Sequence, residues 1–158
     1  MKQIIPGLYW LSGMRTGRVH AIVDTDGITL IDTALAASAP AILKEVQALG
    51  KPLKRILITH GHPDHVGGLM ADGKPIYTNA RYVFGAAEFD YWNKGENIPE
   101  ARKATRDVFM SQAAPLAEKA TMIKPNDEVV SGIRAAAAYG HSPGMLAFHI
   151  ESEGRRLY

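Results

Sequence analysis

The middle of the chain carries a short stretch rich in side chains that bind metals. Its three histidines and one aspartate fall within six residues: His60, His62, Asp64 and His65. The apolar run at residues 55–58, directly before the stretch, predicts a buried strand. Gly61 and Pro63 prevent that strand from continuing, so we expect the four side chains on a loop at its carboxyl end. Binding sites of open α/β sheets form at this edge.

The chemistry that these residues favour is binding of divalent metals. Imidazole and carboxylate groups are the usual protein ligands of Zn²⁺ and related ions. On a turning loop, His60 and His62 can serve one metal, whereas Asp64 and His65 can serve a second. Each pair is incomplete alone, because a site needs about three or four protein ligands. The alternative interpretation is four unrelated polar residues on a loop.

A second histidine motif supplies a further candidate ligand. His141 lies in a turn, residues 139–144, that contains glycine and proline and follows a predicted strand of small residues at 134–138. This position repeats the arrangement of the first motif, and His141 would complete a three-histidine site with His60 and His62. The alternative is a lone histidine in a turn.

The two motifs resemble those of the metallo-β-lactamase-fold hydrolases. The block Thr-His-Gly-His-Pro-Asp-His at residues 59–65 and the block Gly-His-Ser-Pro-Gly at residues 140–144 are two metal-binding motifs of that superfamily. The resemblance extends from a predicted hairpin that ends near residue 33 to the end of the chain. Within the superfamily, the chain is most similar to the methyl parathion hydrolase branch. The stretches that carry this similarity are residues 66–69, 72–77, 79–80, 87–92 and 132–135.

The resemblance implies a fold and an activity. The fold is α/β, an αββα sandwich, of which this chain would supply the first half and part of the second. The implied activity is metal-dependent hydrolysis, in which a metal-activated water attacks an ester, lactone, thioester or phosphotriester. The expected metal is Zn, two per complete site, with Fe, Mn or Co as alternatives. The expected partner is a small-molecule substrate.

The resemblance also implies roles for individual residues. The first metal would be held by three histidines: His60, His62 and His141. Asp64 and His65 would belong to the second metal. Where that metal does not bind, we expect Asp64 to be the catalytic base that acts on the water of the first metal. Asp32, at the end of a predicted strand, would support the metal loop without being a ligand.

Two ligands of the family pattern have no counterpart after His141. The family carries a bridging Asp soon after the second motif and a final His later, whereas this chain stops at residues 154–158, which resemble the start of the strand leading to that Asp. We therefore expect one domain, residues 1–158, that is incomplete at its carboxyl end and binds a second metal weakly or not at all. Met145 replaces a histidine of many members, but that histidine is not a metal ligand.

Three other functions stay open at this point. One is hydrolysis of β-lactams. Another is a non-catalytic metal-binding fragment that needs its missing carboxyl-terminal part; such a half-sandwich would expose an apolar face and strand edges and favour a homodimer. The third, a di-iron oxidoreductase of the same fold, is disfavoured because those relatives carry Glu where this chain has His62.

The amino-acid composition argues against several classes of protein and of ligand. The apolar fraction of 46% and the charged fraction of 22% are typical of a globular protein. A net charge of +2 gives no reason to expect nucleic acid or membrane binding, and no apolar run approaches the roughly 20 residues of a membrane span. Absence of cysteine excludes disulfides and thiolate ligands. No signal-peptide core is present at the start, which predicts a cytoplasmic location.

The surrounding elements follow from periodicity. Strands are predicted at residues 8–11, 21–23, 28–31, 52–59, 75–78, 81–84, 122–124, 128–130, 133–138 and 146–151. Helices are predicted after an N-cap at Ser38, at residues 66–70, at 86–92, and at 99–119 with a kink at Pro115. The resemblance implies that the last helix lies over the metal site. Four side chains would then line a substrate pocket, with ordinary core packing as the alternative: Phe89, Trp92, Phe109 and Met110.

Overall fold

Two β-sheets and one layer of helices make up the computed structural model, which describes residues 1–14 and 16–157. The first sheet has seven strands: β1 (Lys2–Ile5), β2 (Leu8–Leu11), β3 (Val19–Val23), β4 (Ile28–Ile31), β5 (Leu53–Ile58), β8 (Arg81–Gly85) and β9 (Ala120–Ile123). The second has four: β10 (Glu128–Val130), β11 (Ile133–Ala137), β12 (Leu146–Ser152) and β13 (Arg155–Leu157). A short hairpin joins β6 (Met70–Ala71) to β7 (Lys74–Pro75).

The order of strands in the large sheet follows the chain, β1-β2-β3-β4-β5-β8-β9. Pairing is antiparallel from β1 to β4 and parallel from β4 to β9. The predicted hairpin and the predicted parallel pairing across the first helix are therefore confirmed. The carboxyl ends of β5 and β8 meet at one edge of the sheet, and that edge carries the metal-binding motif.

The helices are α1 (Ala39–Ala48), α2 (Pro63–Val66), α3 (Ala86–Lys94) and α4 (Lys103–Gln112), with 3₁₀ turns at Ala36–Ser38, Glu100–Arg102 and Ala114–Lys119. They cover one face of the large sheet, where Leu30, Ile56 and Phe84 pack against Ile42 and Phe109. The period of two along the strands places apolar residues on both faces.

The second sheet packs on the other face of the large sheet. Ile31, Leu57 and Val83 of the large sheet contact a buried cluster that includes Phe148 and Ile150 of the second. The observed layers are therefore helix, sheet and sheet, as the α/β sandwich prediction requires. Outward-facing positions of β12, such as His149 and Glu151, are exposed.

Three local predictions were wrong. The helix expected at residues 66–70 begins earlier, at Pro63, because proline suits the first turn of a helix. The strand expected at 75–78 ends at Pro75. The helix expected over 99–119 is divided, and α4 ends at Gln112 because Pro115 lacks an amide hydrogen and disfavours helical backbone before it.

Ser38 also differs from its predicted role as an N-cap. It precedes α1, but its side chain makes no capping hydrogen bond, because the preceding 3₁₀ turn already holds its backbone in a helical conformation. At the other end of the chain, residues 155–157 form β13, and Tyr158 lies outside the described residues. In the described part of the chain, every helix is too short or too polar to cross a bilayer.

Candidate metal centre

The loop after β5 carries the first motif and is held close to α3. Gly61 separates His60 from His62, and a side chain at this position would come within 2.4 Å of the Trp92 ring. Only glycine therefore allows the loop to lie this close to α3. Pro63 then starts α2 directly after His62, so Asp64 and His65 lie on its first turn.

Three imidazoles converge from the two motifs. His60, His62 and His141 each offer a ligand atom, and these atoms lie within 4.8 Å of one another. Ring centroids are 4.6 Å apart between His60 and His62, and also between His62 and His141. The structure thus brings together the three histidines predicted for the first metal, although His141 is far from His60 and His62 in the sequence.

The environment of His60 fits a metal. Its side chain is 2% exposed, and its Nδ1 lies 3.1 Å from the Thr59 hydroxyl oxygen. Its Nε2 is buried and has no hydrogen-bond partner within the described residues. A buried polar atom without a partner is costly. A divalent metal held by neutral imidazoles would satisfy this nitrogen.

A second group lies beside the first. Asp32 accepts hydrogen bonds from the Thr59 amide, at 2.9 Å, and from the Thr59 hydroxyl, at 2.8 Å, while its Oδ2 lies 2.7 Å from His65 Nδ1. The other ring nitrogen of His65, Nε2, lies 3.5 Å from Asp64 Oδ2. The metal-binding roles of Asp64 and His65, and the supporting role of Asp32, stay predictions. The contacts of Asp32 nevertheless link β4, the metal loop and α2.

Burial and charge separate the pKa values of these histidines. Burial, together with the neighbouring His65 ring, lowers the pKa of His60 to about 3. Burial also lowers the pKa of His62, with His141 and Arg102 adding to the effect. The pKa of His65 is raised, because the Asp32 carboxylate outweighs the effect of burial. At neutral pH, His60 and His62 are therefore uncharged, which is the form that binds metals.

We expect the metal-free protein to lose stability in mild acid. Between pH 3 and 6.5 the unfolded chain binds a proton at His60 that the folded chain excludes, so the free energy of unfolding falls by about 2 kcal/mol between pH 7 and 5 from this residue alone. His65 has the opposite effect, and over a different range of pH. Its contribution to the free energy of unfolding is complete below pH 6.5 and is lost as the pH rises through its raised pKa. Urea unfolding at pH 5 and 7 measures this loss in the free energy of unfolding. An equal loss in His60→Asn would contradict the prediction that His60 causes it.

Glu88 connects the two motifs, and sequence reasoning did not assign it a role. Its carboxylate is 3% exposed and accepts hydrogen bonds from the Gly61 amide at 2.8 Å, the Gly144 amide at 3.0 Å and the Trp92 indole at 2.6 Å. The Ser142 hydroxyl lies 2.5 and 2.6 Å from its two oxygens. A side chain at Gly144 would collide with the Glu88 backbone at 2.1 Å. Glu88 therefore positions the loops on both sides of the histidine cluster.

A clue to Glu88 exists in the sequence. It lies between Ala87 and Phe89 and four residues before Trp92, so it belongs to the apolar face of α3. A carboxylate on a buried helical face must be hydrogen-bonded or paired. Without the fold, however, its partners 27 and 56 residues away could not be identified.

The residues predicted to line a substrate pocket lie mostly in the core. Phe89, Trp92 and Phe109 are 5%, 0% and 0% exposed, and Met110 is half-buried against the same cluster. Phe89 and Phe109 pack edge to face at 5.2 Å, as in ordinary core packing, and the substrate pocket stays a prediction. Trp92 is equally buried, but its ring lies 5.7 Å from that of His62. A cavity of about 460 Å³ lies elsewhere, along β10–β13.

Comparison with protein families gives one match that covers nearly all of the chain. A model described as the metallo-beta-lactamase superfamily matches residues 15–158. Among curated relatives, the probable metallo-hydrolase YybB of Bacillus subtilis is 29% identical over 132 residues, which are 81% of this chain and 54% of that protein. The chain spans about half the length of the curated relatives it matches.

Solved structures share the fold. AidC, a dizinc quorum-quenching lactonase in complex with a product, has a TM-score of 0.71 at 23% identity, over 88% of this chain and 53% of AidC. BJP-1, a subclass B3 metallo-beta-lactamase of Bradyrhizobium japonicum, has a TM-score of 0.66 at 26% identity, over 98% of this chain and 58% of BJP-1. These matches confirm the predicted fold class, whereas the methyl parathion hydrolase branch stays a prediction.

Proposed function

The chain belongs to the metallo-beta-lactamase superfamily, and from this premise we propose that it is the metal-binding part of a hydrolase that acts on an ester, lactone, thioester or phosphotriester. The observation that carries the proposal is the convergence of His60, His62 and His141, together with the buried Nε2 of His60, which has no hydrogen-bond partner among the residues that the structure describes. We propose zinc as the metal. Bound there, a divalent metal lowers the pKa of a water toward about 7 and supplies a nucleophile at neutral pH.

The protein's own residues would do the rest of the chemistry. Asp64 has a side chain that is 40% exposed and lies 3.5 Å from His65 Nε2, so it can accept a proton at the edge of the histidine cluster. Asp64 and His65 together are the proposed ligands of a second metal. Asp32 would hold His65 in the tautomer that leaves Nε2 available, because its carboxylate contacts Nδ1.

Metal content is the first experiment. Zinc per chain is measured by elemental analysis after reloading and removal of excess metal, and we expect about one equivalent. Two equivalents would mean that the second pair finds its missing ligands, for example in another copy of the chain. No bound zinc would overturn the proposal.

Turnover is the second experiment. The zinc-loaded protein is assayed with p-nitrophenyl acetate, an acyl homoserine lactone, an acyl thioester, a phosphotriester and a chromogenic cephalosporin. Hydrolysis of a member of the first four classes supports the proposal, whereas hydrolysis of the cephalosporin alone would identify a β-lactam hydrolase. Zinc binding without turnover would identify a metal-binding fragment. This outcome is tested because the chain spans about half the length of its curated relatives.

Asp64→Asn tests the proposed base. The substitution keeps the shape of the side chain but removes its ability to accept a proton, so we expect kcat to fall by about 10²–10⁴-fold. The first zinc should remain bound, since its three histidines are untouched. Asp90→Asn, on the exposed surface of α3, is the matched control. Unchanged turnover in Asp64→Asn would exclude a role for Asp64 as the base.

A further inference from the structure

Arg102 lies against two of the three clustered histidines. It ends the 3₁₀ turn Glu100–Arg102, just before α4, and is half-buried. Its Nη1 lies 3.3 Å from His62 Nε2 and donates to the carbonyl oxygen of His141 at 3.1 Å. One guanidinium therefore contacts both histidine motifs, from an element that neither motif belongs to.

In the contact between Arg102 and His62, only one of the two groups can donate the hydrogen bond. A guanidinium carries only donors, so His62 Nε2 must accept and its lone pair must face Arg102. That lone pair is also the one with which His62 can hold a metal. The carbonyl of His141 remains available to Arg102 in either case, and it keeps the guanidinium at the rim of the cluster.

Among the described residues, no neighbouring carboxylate neutralises the charge of Arg102. In the described part of the chain, Arg55 pairs with Asp24 and Asp26, and Lys103 pairs with Glu100. No carboxylate oxygen lies within 4.0 Å of the guanidinium of Arg102 in the same ranges, 1–14 and 16–157. A half-buried cation beside a dication site is repelled by it unless an anion lies between them.

We propose that Arg102 is the residue that binds an anionic group of the substrate, a carboxylate or phosphate, beside the metal. The inference rests on the proposed function and adds the substrate class to it. A guanidinium binds carboxylate and phosphate oxygens through two parallel hydrogen bonds, and these charge-assisted bonds are stronger than neutral ones. The preferred substrates are therefore acids, with one negatively charged oxygen on Arg102 and the bond to be broken next to the histidine cluster.

Anion binding tests the proposal directly. Acetate and inorganic phosphate are titrated by calorimetry into the zinc-loaded protein, after its zinc content has been measured. In Arg102→Gln we expect the dissociation constant of both anions to rise about tenfold or more, and in Arg102→Lys we expect a smaller rise, because the charge remains but the paired donors are lost. Lys103→Gln removes the same charge from the next residue, which is exposed and contacts Glu100, and should change the constant less than twofold.

Zinc affinity gives a second readout that does not depend on turnover. Because Arg102→Gln removes a repelling cation and a competing donor, we expect zinc to bind about threefold to tenfold more tightly. Unchanged anion affinity in a zinc-loaded Arg102→Gln protein would overturn the inference alone, whether or not turnover of a neutral ester falls. Absence of zinc from the wild-type protein would overturn both the inference and the proposed function.

Discussion

Replacing His60 with alanine is expected to reduce zinc affinity by about 100-fold or more, as large an effect as any single change at the candidate centre. His60 is the most buried of the clustered histidines, and its Nε2 has no partner in the described residues. Loss of one of three ligands leaves an incomplete site. Competition with a chromophoric chelator measures the affinity. In the metal-free protein, the same change should also remove the share of the acid-dependent fall in the free energy of unfolding that comes from His60, because only the unfolded wild-type chain binds a proton there.

The matched control for His60 is another histidine. His149 lies on β12, is exposed and faces away from the large sheet. His149→Ala should leave zinc affinity within about twofold of the wild-type value. His62→Ala and His141→Ala should resemble His60→Ala. Equal zinc affinity in His60→Ala and His149→Ala would exclude the three-histidine site.

Most of the candidate centre could be predicted because its three histidines lie in two short segments. A strand that ends in a glycine and proline loop must present its polar side chains at the sheet edge, and the spacing of His60 and His62 is local information. His141 could be linked to the first motif because it also lies in a glycine and proline turn after a strand, and because both motifs resemble those of one fold. The parallel pairing of β4 and β5, which the helix between them predicted, then places Asp32 beside the metal loop.

The two residues that the sequence did not reveal make contacts with segments that are distant in the chain. Glu88 and Arg102 lie on elements after the first motif, and each contacts both motifs. Their partners are 27 to 56 residues away, so no local pattern specifies them. For the aromatic side chains near them, periodicity indicates a buried face but does not say what that face packs against.

The same limit explains the errors in secondary structure. Proline marked the beginning of α2 and the end of α4, yet its position alone does not say whether a helix starts, ends or bends there. At residues 76–78 the β-branched and aromatic side chains favoured a strand. The chain instead turns away after Pro75, and Tyr77 is buried at 3% exposure without a strand partner in the described ranges.

Replacing Glu88 with alanine is expected to lower the free energy of unfolding by about 4 kcal/mol or more. The change leaves the amides of Gly61 and Gly144, the Trp92 indole and the Ser142 hydroxyl without their acceptor, in a buried environment. Each donor left unsatisfied costs about 1–3 kcal/mol. A loss of this size is a large part of the total stability of a domain, so Glu88→Ala will fold poorly.

Glu88→Gln separates positioning from folding. The amide nitrogen is best accommodated in place of Oε2, because the Ser142 hydroxyl can rotate to accept and only the Gly144 amide then loses its acceptor. We expect a loss of stability of about 1–3 kcal/mol and a zinc affinity about 10–100-fold weaker, since Gly144 lies three residues from His141 and its loop is no longer held. Zinc affinity is measured at a temperature where urea unfolding shows the variant to be folded.

Two variants control for this experiment. Asp90→Asn removes an exposed carboxylate from the same helix and should change neither stability nor zinc affinity appreciably, because its ion pair with Lys94 lies at the surface. Ser142→Ala removes one donor but leaves the Glu88 carboxylate bound to three others, so its effect on zinc should be smaller than that of Glu88→Gln. A folded Glu88→Gln protein with wild-type zinc affinity would mean that Glu88 stabilises the fold without positioning the histidines.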